Sequence, residues 1–392
     1  MRILISRTDS IGDVVLTLPV AGILKQTFPG CTIIFLGREY TRAVIEACDH
    51  VDQFVAWPPM PPPQPSPPGE KYPHPGPPPT RGREDAVRHP VKIPPPQPSP
   101  PGGREDAVRM FTELKADVIL HIFPVKEICK AAKLAKIPLR IATAGRFFTW
   151  FTCNRLLHIP RKNSNLHEAQ LNLKMLKGLG IDREFTLEEI GELYGLPGGQ
   201  VDKRTGGKAE NEKLKNKNYE FPELSRINRQ SSIVNRQSLI LHPKSKGSAR
   251  EWGLDNFSRL IELLAEDEFN ILVTGTKEEG AMMQEFLKKH GNRITDLTGK
   301  LSLPEFISLI SECDGLVAAS TGPLHLAAAL GIRAVGLYAP MRPIFPQRWA
   351  PVGPKASFLV VDKKCSDCRK TMDCACIRSI RPEEVVKKLR QP

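Results

Sequence analysis

The chain has 392 residues, 40% of them apolar and 25% charged, a balance that suits a globular protein of two domains. Its formal net charge of +13 is uneven, because residues 203–238 alone hold nine Lys/Arg against four Glu; no basic helix with interleaved aromatics appears, and nucleic acid is not an expected partner. An apolar strand starts at Ile3, no apolar run has membrane-spanning length, and the nine Cys do not form a secreted framework, so a cytoplasmic protein without signal peptide is expected.

The first 57 residues alternate strand and helix. Ile3 to Ser6 reads as a buried strand, and Arg7 to Asp13 as a turn. Val14 to Phe28 has the spacing of one amphipathic helix, stopped by Pro29-Gly30. Thr32 to Leu36 is a second strand, Thr41 to Ala47 a helix, and Gln53 to Trp57 a third strand. The first turn carries Asp9 and Asp13 around Gly12. Acids at a helix start commonly cap it or complement its dipole. At the mouth of the first strand of an α/β domain they are also placed to act as a general base. No G-x-G-x-x-G follows the strand, so a dinucleotide fingerprint is absent.

Residues 58–109 break the alternation. Twenty of the 37 prolines lie between Pro58 and Pro101. The string PPPQPSPPG occurs at 61–69 and again at 94–102, and GREDAVR at 82–88 and again at 103–109. Duplicated, Pro-rich sequence cannot build a packed core. It is expected to be a disordered or polyproline insertion between a strand and a helix.

Order is expected again near Val108. Met110 to Lys115 completes a helix, Asp117 to Ile122 is a strand, Lys126 to Lys136 a helix, and Arg140 to Ala142 a short strand. Arg146 to Phe151 is an aromatic loop expected near the acceptor side. Leu166 to Leu179 reads as a helix with His167 and Glu168 as a surface pair. The first domain is drawn as 1–186. Residues 187–238, with INRQS echoed by VNRQS, are drawn as an expanded linker.

The second domain, 239–392, opens on the strand Ser238 to Leu241 and a Ser/Lys/Gly-rich loop from His242 to Trp252. Helices are expected at Asn256–Glu266, Ala281–His290 and Leu303–Glu312, with a strand at Ile271–Thr274. Residues 315–340 then read as strand, turn, helix, strand. Leu316 to Ala319 is apolar, Ser320-Thr321-Gly322 is a small-residue turn, and Pro323 suits a first helical position. Gly331 ends the helix and Ala334 to Tyr338 is the next strand. In such a βαβ unit the turn lies where open α/β sheets bind ligands, and free N–H groups at the helix start attract phosphate. Three strand ends thereby bring Ser245/Lys246/Arg250, Glu278/Glu279 and Ser320/Thr321/Gly322/His325 toward one crevice. Cations and hydroxyls there suit a diphosphate, and a carboxylate suits sugar hydroxyls.

With these pieces in order, the chain resembles the ADP-heptose:lipopolysaccharide heptosyltransferase family of glycosyltransferases. The resemblance is carried by RTDSIGDVVLTLP (7–19), HPKSKGSAREW (242–252), TGKLSLPEF (298–306), STGPLHLAAALG (320–331) and the terminal cysteine segment. It implies a GT-B fold, two Rossmann-like domains facing each other across a cleft. It implies inverting, metal-independent transfer of a sugar, heptose in the family, from a nucleotide-sugar donor to a lipopolysaccharide-core or other lipid-linked glycan. Peripheral contact with the inner membrane face would follow. It makes Asp13 the base, with Asp9 as fallback. It makes Ser245, Arg250, Thr321, Gly322 and His325 donor-binding, and lets the donor-hydroxyl glutamate fall on Glu278 or Glu279. The chain departs from the family pattern at Ser320, where many members have Asp, and at Lys244, usually Gly. Two rival functions are a non-catalytic nucleotide-sugar or glycolipid binder and a nucleotide-sugar epimerase; the epimerase would need further acids in the cleft.

Cys365, Cys368, Cys374 and Cys376 place four thiols within twelve residues, enough for a structural zinc site. No catalytic cofactor is expected.

Overall fold

The computed structural model describes residues 1–58, 103–161, 164–197, 236–342, 344–362, 365 and 373–391. Two six-stranded sheets organise it. The first contains β1 (Arg2–Ser6), β2 (Thr32–Gly37), β3 (Gln53–Ala56), β4 (Val118–His121), β5 (Leu139–Thr143) and β6 (Arg155–Leu157) in the order β3-β2-β1-β4-β5-β6. The second contains β7 (Gln237–His242), β8 (Phe269–Val273), β9 (Ile294–Asp296), β10 (Gly315–Ala319), β11 (Arg333–Tyr338) and β12 (Ala356–Val360) in the order β12-β11-β10-β7-β8-β9. Every pairing is parallel. Counted from its own first strand, each sheet has the doubly wound order 3-2-1-4-5-6. Its crossover direction therefore reverses between first and fourth strands, at β1/β4 and at β7/β10, where such sheets bind ligands.

The central strands are apolar on both faces because helices cover both. Ile3 and Ile5 pack into one cluster with Val14, Leu16 and Leu18, while Leu4, between them, joins Ile34, Phe111 and Ile128 on the other side. In the second sheet Leu316 and Ala318 face one cluster, and Val317 and Ala319 face Trp252, Phe257 and Ile377. The first of these clusters runs without a break from Ile3 to Leu330, so the two domains share packed apolar contact.

Several elements differ from expectation. The long first helix is two, Ile11–Val15 and Leu18–Thr27, because Pro19 opens the second and cannot continue the first. The helix after the Pro-rich stretch begins at Arg104, so the second GREDAVR copy is folded; Ala107 is buried and Phe111 stacks on Trp57 at 6.1 Å. The remaining expectation for the insertion concerns residues 59–102, which lie outside the described residues. Residues 187–197, drawn as linker, belong to the first domain. Leu187–Gly191 is a helix with a Thr186 capping box, Ile190 is buried, and Asp49 N donates to Gly195 O at 2.8 Å. Beyond them, 198–235 lie outside the described residues. His167 and Glu168 are buried rather than on the surface. His167 caps the helix Glu168–Leu173, its Nδ1 accepting from Ala169 N at 3.2 Å, and its Nε2 lies 2.9 Å from Ala350 O of the second domain. Among the described residues, no helix is long and apolar enough to cross a membrane.

A cleft between two switch points

A cleft of about 1790 Å³ lies between the two sheets and takes side chains from both. The first domain contributes the turn after β1, with Phe123, Arg161 and Glu168. The second contributes the loops after β7, β8 and β10. The domains touch at its floor. A Cβ on Gly12 would lie 3.0 Å from His325 Cδ2, and one on Gly322 would lie 3.0 Å from Ile11 Cβ. Two glycines thus let the starts of the helices Ile11–Val15 and Gly322–Ala329 approach across the domain boundary.

Arg7 is the hub of the first-domain side and is 2% exposed. Its Nε meets Asp9 at 3.0 Å, its Nη2 binds Asp13, and its Nη1 lies 3.6 Å from Glu168. Asp13 also accepts from Ser10 Oγ at 2.7 Å. Its carboxylate does not cap the helix; it is held by Arg7 and Ser10 and faces the cleft. Burial raises the pKa of Asp9, against the opposing charge of Arg7. Glu168 collects three cations, adding Arg161 at 2.5 Å and Arg348, from the second domain, at 2.6 Å. Removing one partner of such a buried group strands the others.

On the second-domain side, Ser320, Thr321, Gly322 and His325 meet at the start of the Gly322–Ala329 helix. Thr321 Oγ1 and His325 Nδ1 are buried without a hydrogen-bond partner. Burial pushes the His325 pKa down to about 4, with the charge of Asp13 opposing, so the imidazole is neutral at neutral pH. Ser245, Lys246 and Arg250 line the same cleft. Ser245 is committed within its loop, its Oγ donating to Ala249 O at 3.0 Å, while Lys244 pairs with Glu251 at 2.7 Å. Lys246 takes a left-handed φ of 47°. An apolar shelf of Leu297, Leu301, Leu303 and Phe306 adjoins them.

The structure separates the two glutamates. Glu278 is exposed and outside the cleft lining, whereas Glu279 is buried and lines it. Thr276 is the N-cap of Lys277–Met282, and Glu279 folds back to accept from Thr276 N at 2.8 Å; the residue before it falls on the solvent side. Of the two glutamates, Glu279 is thus the one that reaches the cleft. Of the terminal cysteines, Cys374 and Cys376 are buried and Cys365 is partly buried, while Cys368 lies outside the described residues. Sequence reasoning missed Arg7, Arg161, Glu168 and Arg348. A charged residue at the end of an apolar strand, as Arg7 is, was the available signal.

Comparison with known proteins agrees with this architecture. The profile of Glycosyltransferase family 9 (heptosyltransferase) matches residues 180–376, half of the chain. A Haemophilus influenzae protein carrying the name glycosyltransferase is 23% identical over 376 residues, covering 94% of this chain and 89% of that one. Lipooligosaccharide heptosyltransferase 2 of Campylobacter jejuni is 25% identical over 154 residues, which span 37% of this chain and 47% of that relative. The solved structure of E. coli ADP-heptose LPS heptosyltransferase II superimposes with a TM-score of 0.68 at 18% identity, over 99% of this chain and 97% of that one. The two doubly wound domains facing a common cleft form a GT-B fold. By fold and by family match, this chain belongs to glycosyltransferase family 9, the heptosyltransferase family.

Proposed function

We propose that the chain transfers a sugar, heptose as in the relatives' names, from a nucleoside-diphosphate donor to a lipopolysaccharide-core or related lipid-linked glycan, with inversion and without a metal ion in the transfer step. The observation that carries the reading is the pairing across the cleft. Thr321 Oγ1 and His325 Nδ1 stand buried without partners at a helix start on one side, and the Arg7-held Asp13 faces the cleft from the other. Helix-start N–H groups suit a phosphate, and charge-assisted contacts from Lys246 and Arg250 would add to them. The apolar shelf suits a nucleobase, and Glu279 a donor hydroxyl. These groups would neutralise the diphosphate as it leaves, which is the role a metal ion plays elsewhere.

The acceptor hydroxyl must lose its proton as it attacks the anomeric carbon from the face opposite the diphosphate. A base on the first domain meets that geometry, and Asp13 is the candidate, with Asp9 beside it on the same guanidinium. Work at the inner membrane face follows from the lipid-linked acceptor.

ADP-, UDP- and GDP-sugars, each incubated with the protein with and without lipopolysaccharide-core glycans, test the reading. Free ADP released from ADP-heptose only when the glycan is present supports it. Release without any acceptor points to hydrolysis or an epimerase-type cleavage rather than transfer, and release from none of the donors favours a binding role. Titrating Mg²⁺ or Mn²⁺ should leave the rate unchanged.

A further inference from the structure

A second polar cluster lies inside the first domain. His121 ends β4, Cys129 sits on the helix Lys126–Leu134, and Cys153 follows the short helix Thr149–Thr152. The imidazole nitrogen and the two sulfurs lie within 4.8 Å of one another. His121 and Cys129 are 0% exposed and Cys153 is 8% exposed. Neither ring nitrogen of His121 has a hydrogen-bond partner. Both thiols are outside any disulfide. A fully buried imidazole with two unsatisfied nitrogens is rare, because buried polar groups nearly always find partners. Here the nearest chemistry is a pair of sulfurs.

We propose that His121, Cys129 and Cys153 bind a zinc ion. Two thiolates and an imidazole are the soft and borderline donors that select zinc over magnesium or calcium. Three such ligands form a known zinc set, whose fourth position is filled by water or a further oxygen. A tetrahedral ion with its usual bond lengths of about 2.0–2.3 Å requires the ligand atoms to close only modestly from their present spacing. The Thr152 hydroxyl, 3.8 Å from Cys153 Sγ, donates to Phe148 O at 2.8 Å and lies ready beside the ligand.

The ion would reinforce the junction of three parts of the chain, the end of β4, the helix after it and the segment leading into β6, where Lys133 Nζ already donates to Phe151 O at 2.8 Å. The consequence reaches the cleft. Phe123, two residues beyond His121, lines it and carries the Arg146 guanidinium at 4.3 Å and that of Arg7 at 5.6 Å. The exposed aromatics Phe147, Trp150 and Phe151 lie just before Cys153. Zinc at this point would stiffen the wall of the cleft opposite the second domain.

The test uses the full chain with Cys365→Ser and Cys368→Ser, so that the terminal thiols cannot supply a four-cysteine site. The protein is loaded with zinc under reducing conditions, passed through gel filtration, and its metal measured by mass spectrometry. Stoichiometric zinc is expected, lost in Cys129→Ser, Cys153→Ser and His121→Asn, and kept in Cys313→Ser. X-ray absorption on the zinc-loaded parent, which does not depend on any site variant folding, should show two sulfur ligands and at least one nitrogen. Zinc retained in all three site variants, a coordination shell without sulfur, or a parent that holds no zinc and instead carries a Cys129–Cys153 disulfide would each overturn the assignment.

Discussion

At the scale of single residues, the cleft is set by one guanidinium. Arg7 binds Asp9, Asp13 and Glu168 from a fully enclosed position, which fixes where two carboxylates stand at the end of β1. Asp13 is not a helix cap, so its removal should not cost a cap's stability. Asp13→Asn should fold, bind donor as before and transfer sugar roughly a hundredfold or more slower, the scale of a lost general base. Near-normal turnover in Asp13→Asn with an inactive Asp9→Asn would move the base to Asp9. Three buried histidines make a second prediction. Burial lowers the pKa of His325 and His242 to about 4 and of His167 to about 3. Each is neutral in the fold but takes a proton in the unfolded chain below its ordinary value of about 6.5. Their contribution is thus complete above that pH and is lost as pH falls from there toward 4 and 3. Each contributes a slope of up to about 1.4 kcal/mol per pH unit. Burial also lowers the pKa of His290, while Asp9 and Glu312, raised by burial, act in the opposite direction but are two groups against four. Urea unfolding at pH 7 and pH 5 should show a clear loss at pH 5; equal midpoints would mean these rings are hydrated or paired.

Among the elements, the Gly322–Ala329 helix matters most, because it closes one sheet's crossover and meets the other domain at its first residue. Its start must be bare. A methyl on Gly322 would press on Ile11 Cβ at 3.0 Å, which makes overpacking fall on the domain contact rather than within either core. Overpacking typically costs about 1–3 kcal/mol. Placed on the closed arrangement of the cleft, that corresponds to about a tenfold to hundredfold loss of rate. Gly322→Ala should therefore lower kcat/KM on that scale with little change in the unfolding midpoint. Gly145→Ala, where nothing lies within 4 Å of the new methyl, is the control and should be silent. A large fall in the midpoint of Gly322→Ala would place the strain in the core instead. The strands that the sequence did not reveal, β6, β9 and β12, share a cause. Each is at or next to solvent on a sheet edge, and none has a fully buried residue. A short half-exposed strand lacks the apolar run that marked β1, β7 and β10.

For the whole molecule, the Pro-rich stretch leaves and rejoins a closed structure. Trp57, just after β3, stacks on Phe111 of the helix that follows, so the two ends of the stretch meet without it. Loop length changes closure entropy only slowly. Deleting 61–101 should leave the fold and the transfer rate intact, as read by circular dichroism and by nucleoside diphosphate release. The deletion must spare Gly103, the N-cap of Arg104–Leu114. Loss of folding would show that the repeats pack on the domain.

The sequence by itself determined the two α/β halves, their central strands, and the turns at Arg7–Asp13 and Ser320–Gly322. Apolar runs, turn residues and spacing are local signals, and buried parallel strands carry them strongly. It also placed Asp13, Lys246, Arg250, Thr321 and His325 at strand ends, which doubly wound topology makes binding positions. Only the tertiary structure showed that Glu279 and not Glu278 lines the cleft, since one step along a helix start turns a side chain from solvent to cleft. It alone brought Arg7, Arg161 and Arg348 onto Glu168, and His121 onto Cys129 and Cys153. Arg7 and Arg348 lie far from Glu168 in the chain, and even for the nearer partners Arg161 and Cys129 no pattern in a linear sequence records which charges or thiols will be buried together.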